Sequence, residues 1–167
     1  MLAVLLVLTL GLSACGSSSS TSSTSGSTQG TTSFAKTKFV LHAGLAFGAF
    51  HHFIYKPYKA GNLTSGGLLN HKLALVKAGL AGAFAYHEVK LALVDAKSSP
   101  LLSRLLSPLT ALSNRFQALG TQLKAGNLDA SAIEGANTQT GVTSAAAQAA
   151  GQPITEATPS VSQLAGG

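Results

Sequence analysis

Residues 99–127 read SPLLSRLLSPLTALSNRFQALGTQLKAGN, and within them Leu102, Leu105, Leu109, Leu112, Phe116, Leu119 and Leu123 recur at alternating steps of three and four. That spacing keeps large apolar side chains on one stripe of an α-helix, whereas a strand would send them to alternate faces. Three heptads of this character predict a helix that forms one seam of a bundle. Ser99 and Pro100 suit an N-cap and a first helical position, and Gly126-Asn127 suits a stop. Pro108 falls inside the run and predicts either a kink or a restart after a cap at Ser107.

A seam needs partners, and the preceding segments supply them. Residues 34–56, FAKTKFVLHAGLAFGAFHHFIYK, predict a helix capped by Ser33 and ended near Lys56, because Pro57 disfavours helix in the residue before it. Phe39, Val40, Phe47, Phe50 and Ile54 project onto one broad face, and Lys38, His42, His52 and Lys56 onto the opposite stripe. Gly44 and Gly48 form a G-x-x-x-G strip that another backbone can approach closely. After a loop over 57–67, a second helix is expected from Leu68 or Asn70 to Ala96. Leu73, Leu80, Phe84 and Leu91 lie on one side of it, and Ala74, Ala78, Ala81, Ala85 and Ala92 on another. The two helices suggest an antiparallel hairpin. Residues 129–150 predict a weaker fourth helix, with alanines in favour and Gly and Thr against. Residues 151–167 have turn composition and read as a flexible tail. The expectation is an all-α domain over 34–150, a small bundle of three to four helices built around the hairpin.

Residues 2–12, LAVLLVLTLGL, are apolar but shorter than the roughly 20 residues a membrane-spanning helix needs. The length suits the apolar core of a secretory signal over 1–14. No Lys or Arg precedes the run, so either the start codon lies upstream of Met1 or the signal is weak. At Leu12-Ser13-Ala14-Cys15 the sequence resembles the lipobox of bacterial lipoproteins. The resemblance implies that the Cys15 sulfur carries a diacylglyceryl group and that cleavage before Cys15 makes it the mature N-terminus. A lone thiol cannot form an internal disulfide, and two acyl chains anchor stably where one does not. Residues 16–33 contain only Gly, Ser, Thr and Gln and read as a disordered tether, about 20–25 Å long on average by the square-root scaling of flexible linkers. The paired helices and the proline-started leucine helix also look similar to uncharacterised secreted or lipoprotein domains of actinobacteria, from which no binding residue carries over.

The chain's formal net charge of +6 comes entirely from 36–97, where eight lysines face only Glu88 and Asp95. A concentrated positive field draws anionic partners. The catalytic inventory is poor by contrast. No serine sits in a G-x-S-x-G elbow, and His87-Glu88 fails as H-E-x-x-H because Leu91 occupies the second histidine position. The histidines are the remaining set. Within one helix His42 and His52 stand about 15 Å apart, so a site requires both helices of the hairpin. Its closed end would bring His51 or His52 level with His71, which names those three as candidate ligand-binding residues. No Cys or His-carboxylate spacing marks a metal site, and no cofactor is assigned.

The expected function is therefore non-enzymatic. It is that of a lipoprotein on the outer face of the cytoplasmic membrane, held in the bilayer through Cys15, whose basic domain binds an envelope protein or anionic lipid and not nucleic acid. The alternative is a helical carrier in which the phenylalanine face and small-residue grooves enclose haem, a metal or a lipid. A third reading is an enzyme that uses a histidine with Glu88 as an acid/base pair, and under any of the three the apolar faces could close on a second copy of the chain.

Overall fold

The computed structural model describes residues 27–63, 72–126 and 128–166. Cys15 with the rest of the lipobox, and His71, lie outside them. The fold is all-α, with no strand among the described residues. Four long helices, α1 (Ser27–Phe50), α3 (Lys72–Lys97), α4 (Leu106–Lys124) and α5 (Ala130–Ala149), pack in sequence order. Two short ones, α2 (Lys56–Lys59) and α6 (Val161–Gly166), complete the set.

The leucine seam forms as its spacing demands. All seven residues from Leu102 to Leu123 are at most 3% exposed. Pro100 starts a 3-10 turn over Pro100–Leu105 that runs into α4, so Pro108 falls in the first turn of α4, where its missing N–H breaks no helical bond. Gly126 ends α4 with φ +70°, a conformation that costs residues with a Cβ.

Helices α1 and α3 form the antiparallel pair. Ile54 meets Gly82 near one end, and His42 meets Glu88 and Asp95 toward the other. Phe39, Phe47, Phe50 and Ile54 are buried as projected. On α3 the alanine side takes the interior, with Ala78, Ala81, Ala85, Ala92 and Ala96 fully buried, while on the other side Phe84 is buried, Leu80 and Leu91 are half-buried and Leu73 is 67% exposed. The reason is that α3 lies between α1 and α4, and small side chains let both neighbours approach. A Cβ on Gly82 would come within 3.3 Å of Leu123 on α4.

Three boundaries differ from expectation. Helix α1 begins at Ser27, inside the stretch read as disordered tether, because 27–33 holds no proline to stop a helix propagating upstream from the apolar segment. At its other end the chain stays helical through Pro57 by way of a π-turn over His51–Tyr55, with the Lys56 N–H donating to His51 O. The wider turn relaxes the crowding between a proline ring and the turn before it. Finally, 151–167 is not a loose tail. The Ala157 N–H donates to Gly44 O at 3.0 Å, Pro159 and Leu164 are buried, and α6 packs on α3. The G-x-x-x-G strip therefore receives an extended segment, not a helix. A Cβ on Gly44 or Gly48 would overlap the carbonyl oxygens of Thr155 or Ala157.

Candidate functional site

The π-turn sets His51 at the meeting point of α1, α5 and the C-terminal segment. Its Nδ1 lies 2.6 Å from Glu156 Oε1 and its Nε2 lies 3.1 Å from Asn137 Oδ1. In this orientation of the Asn137 amide both ring nitrogens face acceptors, which suits an imidazolium donating twice; with the amide reversed, a neutral ring donates from Nδ1 to Glu156 and accepts at Nε2 from the Asn137 amide N–H. The ring also leans on buried Phe50, 5.2 Å between centroids. A pocket of about 250 Å³ opens beside it, floored by Phe47 and Ile154 and edged by Thr140, Gly141 and Ser144. One turn further on, Tyr55 Oη and Lys59 Nζ each lie 3.4 Å from a carboxylate oxygen of Glu134. That carboxylate holds the Lys59 pKa above its usual range.

The two candidate histidines within the described residues, His51 and His52, point apart. His52 is exposed and stands edge-on to Phe53 at 4.7 Å, while His51 turns toward α5. With His71 outside the described residues, His51 alone of the set occupies a built pocket, and its partners are a carboxylate and an amide. The side chains that complete the site, Asn137 and Glu156, are missing from the sequence reading. A signal existed, because Glu156 is the sole charged residue after Glu134. A lone charge in an uncharged stretch invites the question of what it pairs with.

Glu88 also has a different partner from the one its neighbour suggests. His87 is exposed, and it is His42 Nδ1 that lies 2.7 Å from Glu88 Oε2. On the far side of the same ring, His42 Nε2 lies 3.9 Å from Asp95 Oδ2, a buried oxygen with no hydrogen-bond partner. Burial raises the Asp95 pKa, and the nearby His42 and Lys38 oppose the rise. The two carboxylates sit at opposite nitrogens of one imidazole and so cannot face a common ion. Among the described residues no group of three His, Cys, Asp or Glu could hold a metal.

On the phenylalanine face Phe39, Phe47 and Phe50 are at most 2% exposed, and Phe47 borders the pocket of about 250 Å³ beside His51. A larger apolar space lies elsewhere. A groove of about 500 Å³ runs between α3 and the end of α4, lined by Leu75, Val76, Gly79, Leu80, Ala83, Leu123, Lys124 and Gly126. The lysines of 36–97 stay on the outer surface of α1, α2 and α3, and Lys59 is the one that forms an ion pair among the described residues. No helix there is long and apolar enough to cross a membrane. Set against protein-family models, curated proteins and solved structures, the chain matches none.

Proposed function

We propose that this is a lipid-anchored protein of the outer face of the cytoplasmic membrane, whose helical domain binds an anionic surface of the envelope, lipid or protein, without catalysing a reaction. The observation that carries the reading is Leu12-Ser13-Ala14-Cys15 behind an apolar run and ahead of an uncharged stretch. The lysines add to it. Lys38, Lys56, Lys72, Lys90 and Lys97 are exposed and form no ion pair among the described residues, so their field is not neutralised internally. The histidine environments also favour binding over chemistry, because His51 spends both ring nitrogens, and His42 its Nδ1, on side chains that hold helices and the C-terminal segment together.

The anchor is tested by expressing the full chain in a bacterium with labelled palmitate. The parent is expected in the membrane fraction with label, and Cys15→Ala is expected unlabelled and released. The surface is tested by sedimentation with phosphatidylglycerol vesicles. Binding is expected to weaken steeply from low salt to 0.5 M, since exposed charges more than about 10 Å apart are screened at 0.1 M ionic strength. Label independent of Cys15 overturns the anchor, and salt-insensitive binding overturns the basic surface.

A further inference from the structure

We propose that the groove between the N-terminal half of α3 and the C-terminal end of α4 binds a long-chain fatty acid, with its carboxylate at Lys124. The inference goes beyond the membrane-anchoring reading and does not depend on Cys15. At about 500 Å³ the groove falls in the range of about 300–1,000 Å³ that small-molecule sites occupy. Its walls are aliphatic, and Lys124 is the one charged side chain in the lining. A polar ligand would leave buried hydrogen-bonding groups unmatched there, so the fitting molecule is apolar along its body and anionic at one end. The Leu75–Ala83 stretch of wall is about 12 Å long at the α-helical rise, a shape for a chain. Lys72, one turn before Leu75 and Val76 on the same face of α3, is exposed and adds a second positive charge. Neither Lys72 nor Lys124 has a carboxylate partner among the described residues.

Gly79 supplies an independent observation. A glycine inside a helix costs about 1 kcal/mol relative to alanine and usually answers to a close neighbour. Gly44, Gly48, Gly82 and Gly135 each have one, on the C-terminal segment, α4 or Arg115, whereas Gly79 on α3 and Gly141 on α5 have none, and each of these two lines a pocket. Gly79 has nothing within 4 Å of where its Cβ would stand, and what its missing side chain leaves open is the groove. Val76, beside it, is 58% exposed and presents apolar surface along the groove.

The test uses the full chain carrying Cys15→Ser, which leaves every described residue unchanged, titrated with cis-parinaric acid and followed by its fluorescence. Saturable one-site enhancement, reversed by laurate, is expected. Gly79→Leu extends into the groove from a Cβ that meets nothing within 4 Å, and is expected to weaken binding at least tenfold while the thermal midpoint by circular dichroism does not fall. Val76→Asp, at an already exposed position, is the second variant and is expected to do the same. Lys124→Glu is expected to weaken laurate at least fivefold and to leave 1-dodecanol unchanged. Absence of saturable binding, or parental affinity in a folded Gly79→Leu and Val76→Asp, overturns the site. Equal weakening of laurate and dodecanol by Lys124→Glu overturns the carboxylate assignment. Vesicle sedimentation of Lys38→Glu/Lys90→Glu, whose lysines lie outside the groove lining, reports on the basic surface separately.

Discussion

Asp95 is placed where a carboxylate is costly. Its side chain is 14% exposed, one oxygen has no hydrogen bond, and the nearest compensation is a ring nitrogen 3.9 Å away. Burial therefore holds the folded pKa above the ordinary 3.8 despite the pull of His42 and Lys38. A carboxyl whose pKa is raised by folding contributes fully below its unfolded value, and that contribution is lost as pH rises through the folded value. Asp95→Asn is accordingly expected to be more stable than the parent at pH 7, with the difference closing as pH falls from above the raised folded value to 3.8, measured by urea unfolding across pH. Glu88, on the other nitrogen of His42, is present in both proteins, so the comparison isolates Asp95. Glycines make the same point about context. Gly48→Ala drives a methyl into the Ala157 carbonyl and is expected to cost about 1–3 kcal/mol as overpacking. Gly79→Ala meets nothing and is expected to gain up to about 1 kcal/mol from helix propensity. Equal signs for the two in chemical denaturation would contradict the packing described. The Gly44-Gly48 strip was legible as a place for close backbone approach, but the side-chain pairings were not, because Glu156 for His51 and Glu88 for His42 come from elements distant in the chain.

At the scale of elements, periodicity was the legible signal and neighbours were not. The seam from Leu102 to Leu123 could be read outright, since seven large side chains at three-four spacing admit one arrangement. Leu112→Ala, removing a fully buried member, is expected to cost about 2–5 kcal/mol in equilibrium unfolding. Helix α3 carried two apolar faces, one of leucines and one of alanines, and local pattern could not choose between them. The choice follows from the two helices that flank α3, which reward small residues with close approach. The segment after Gly151 was illegible for the opposite reason. Its composition favours turns, and its order comes from the groove that Gly44 and Gly48 cut into α1. Deleting 152–167 is expected to lower the thermal midpoint and to raise amide hydrogen exchange selectively in α1 around 44–51. Exchange unchanged there would show that the segment does not cover that face.

At the scale of the molecule, charge and apolar surface adjoin. Lysines cover the outer side of the first half of the chain together with exposed Phe34, Leu41, Leu73, Val76 and Val94, the seam of α4 centres the core, and the α3–α4 groove presents aliphatic surface beside Lys124. The basic surface and the groove meet at Lys72, which belongs to the first and borders the second. The strand-like segment on α1 also links the two ends of the fold in time. His51 and Glu156 are 105 residues apart, and Gly44 waits for Ala157 over a similar distance. Contacts so distant form late, after the loop between them has been closed at entropic cost. While the protein is being synthesised, α1 can pair with α3 but its glycine face stays bare until the far segment emerges. A premature stop codon in that stretch would yield a product with all four long helices and an open flank, a form that quality-control proteases can distinguish from the finished chain.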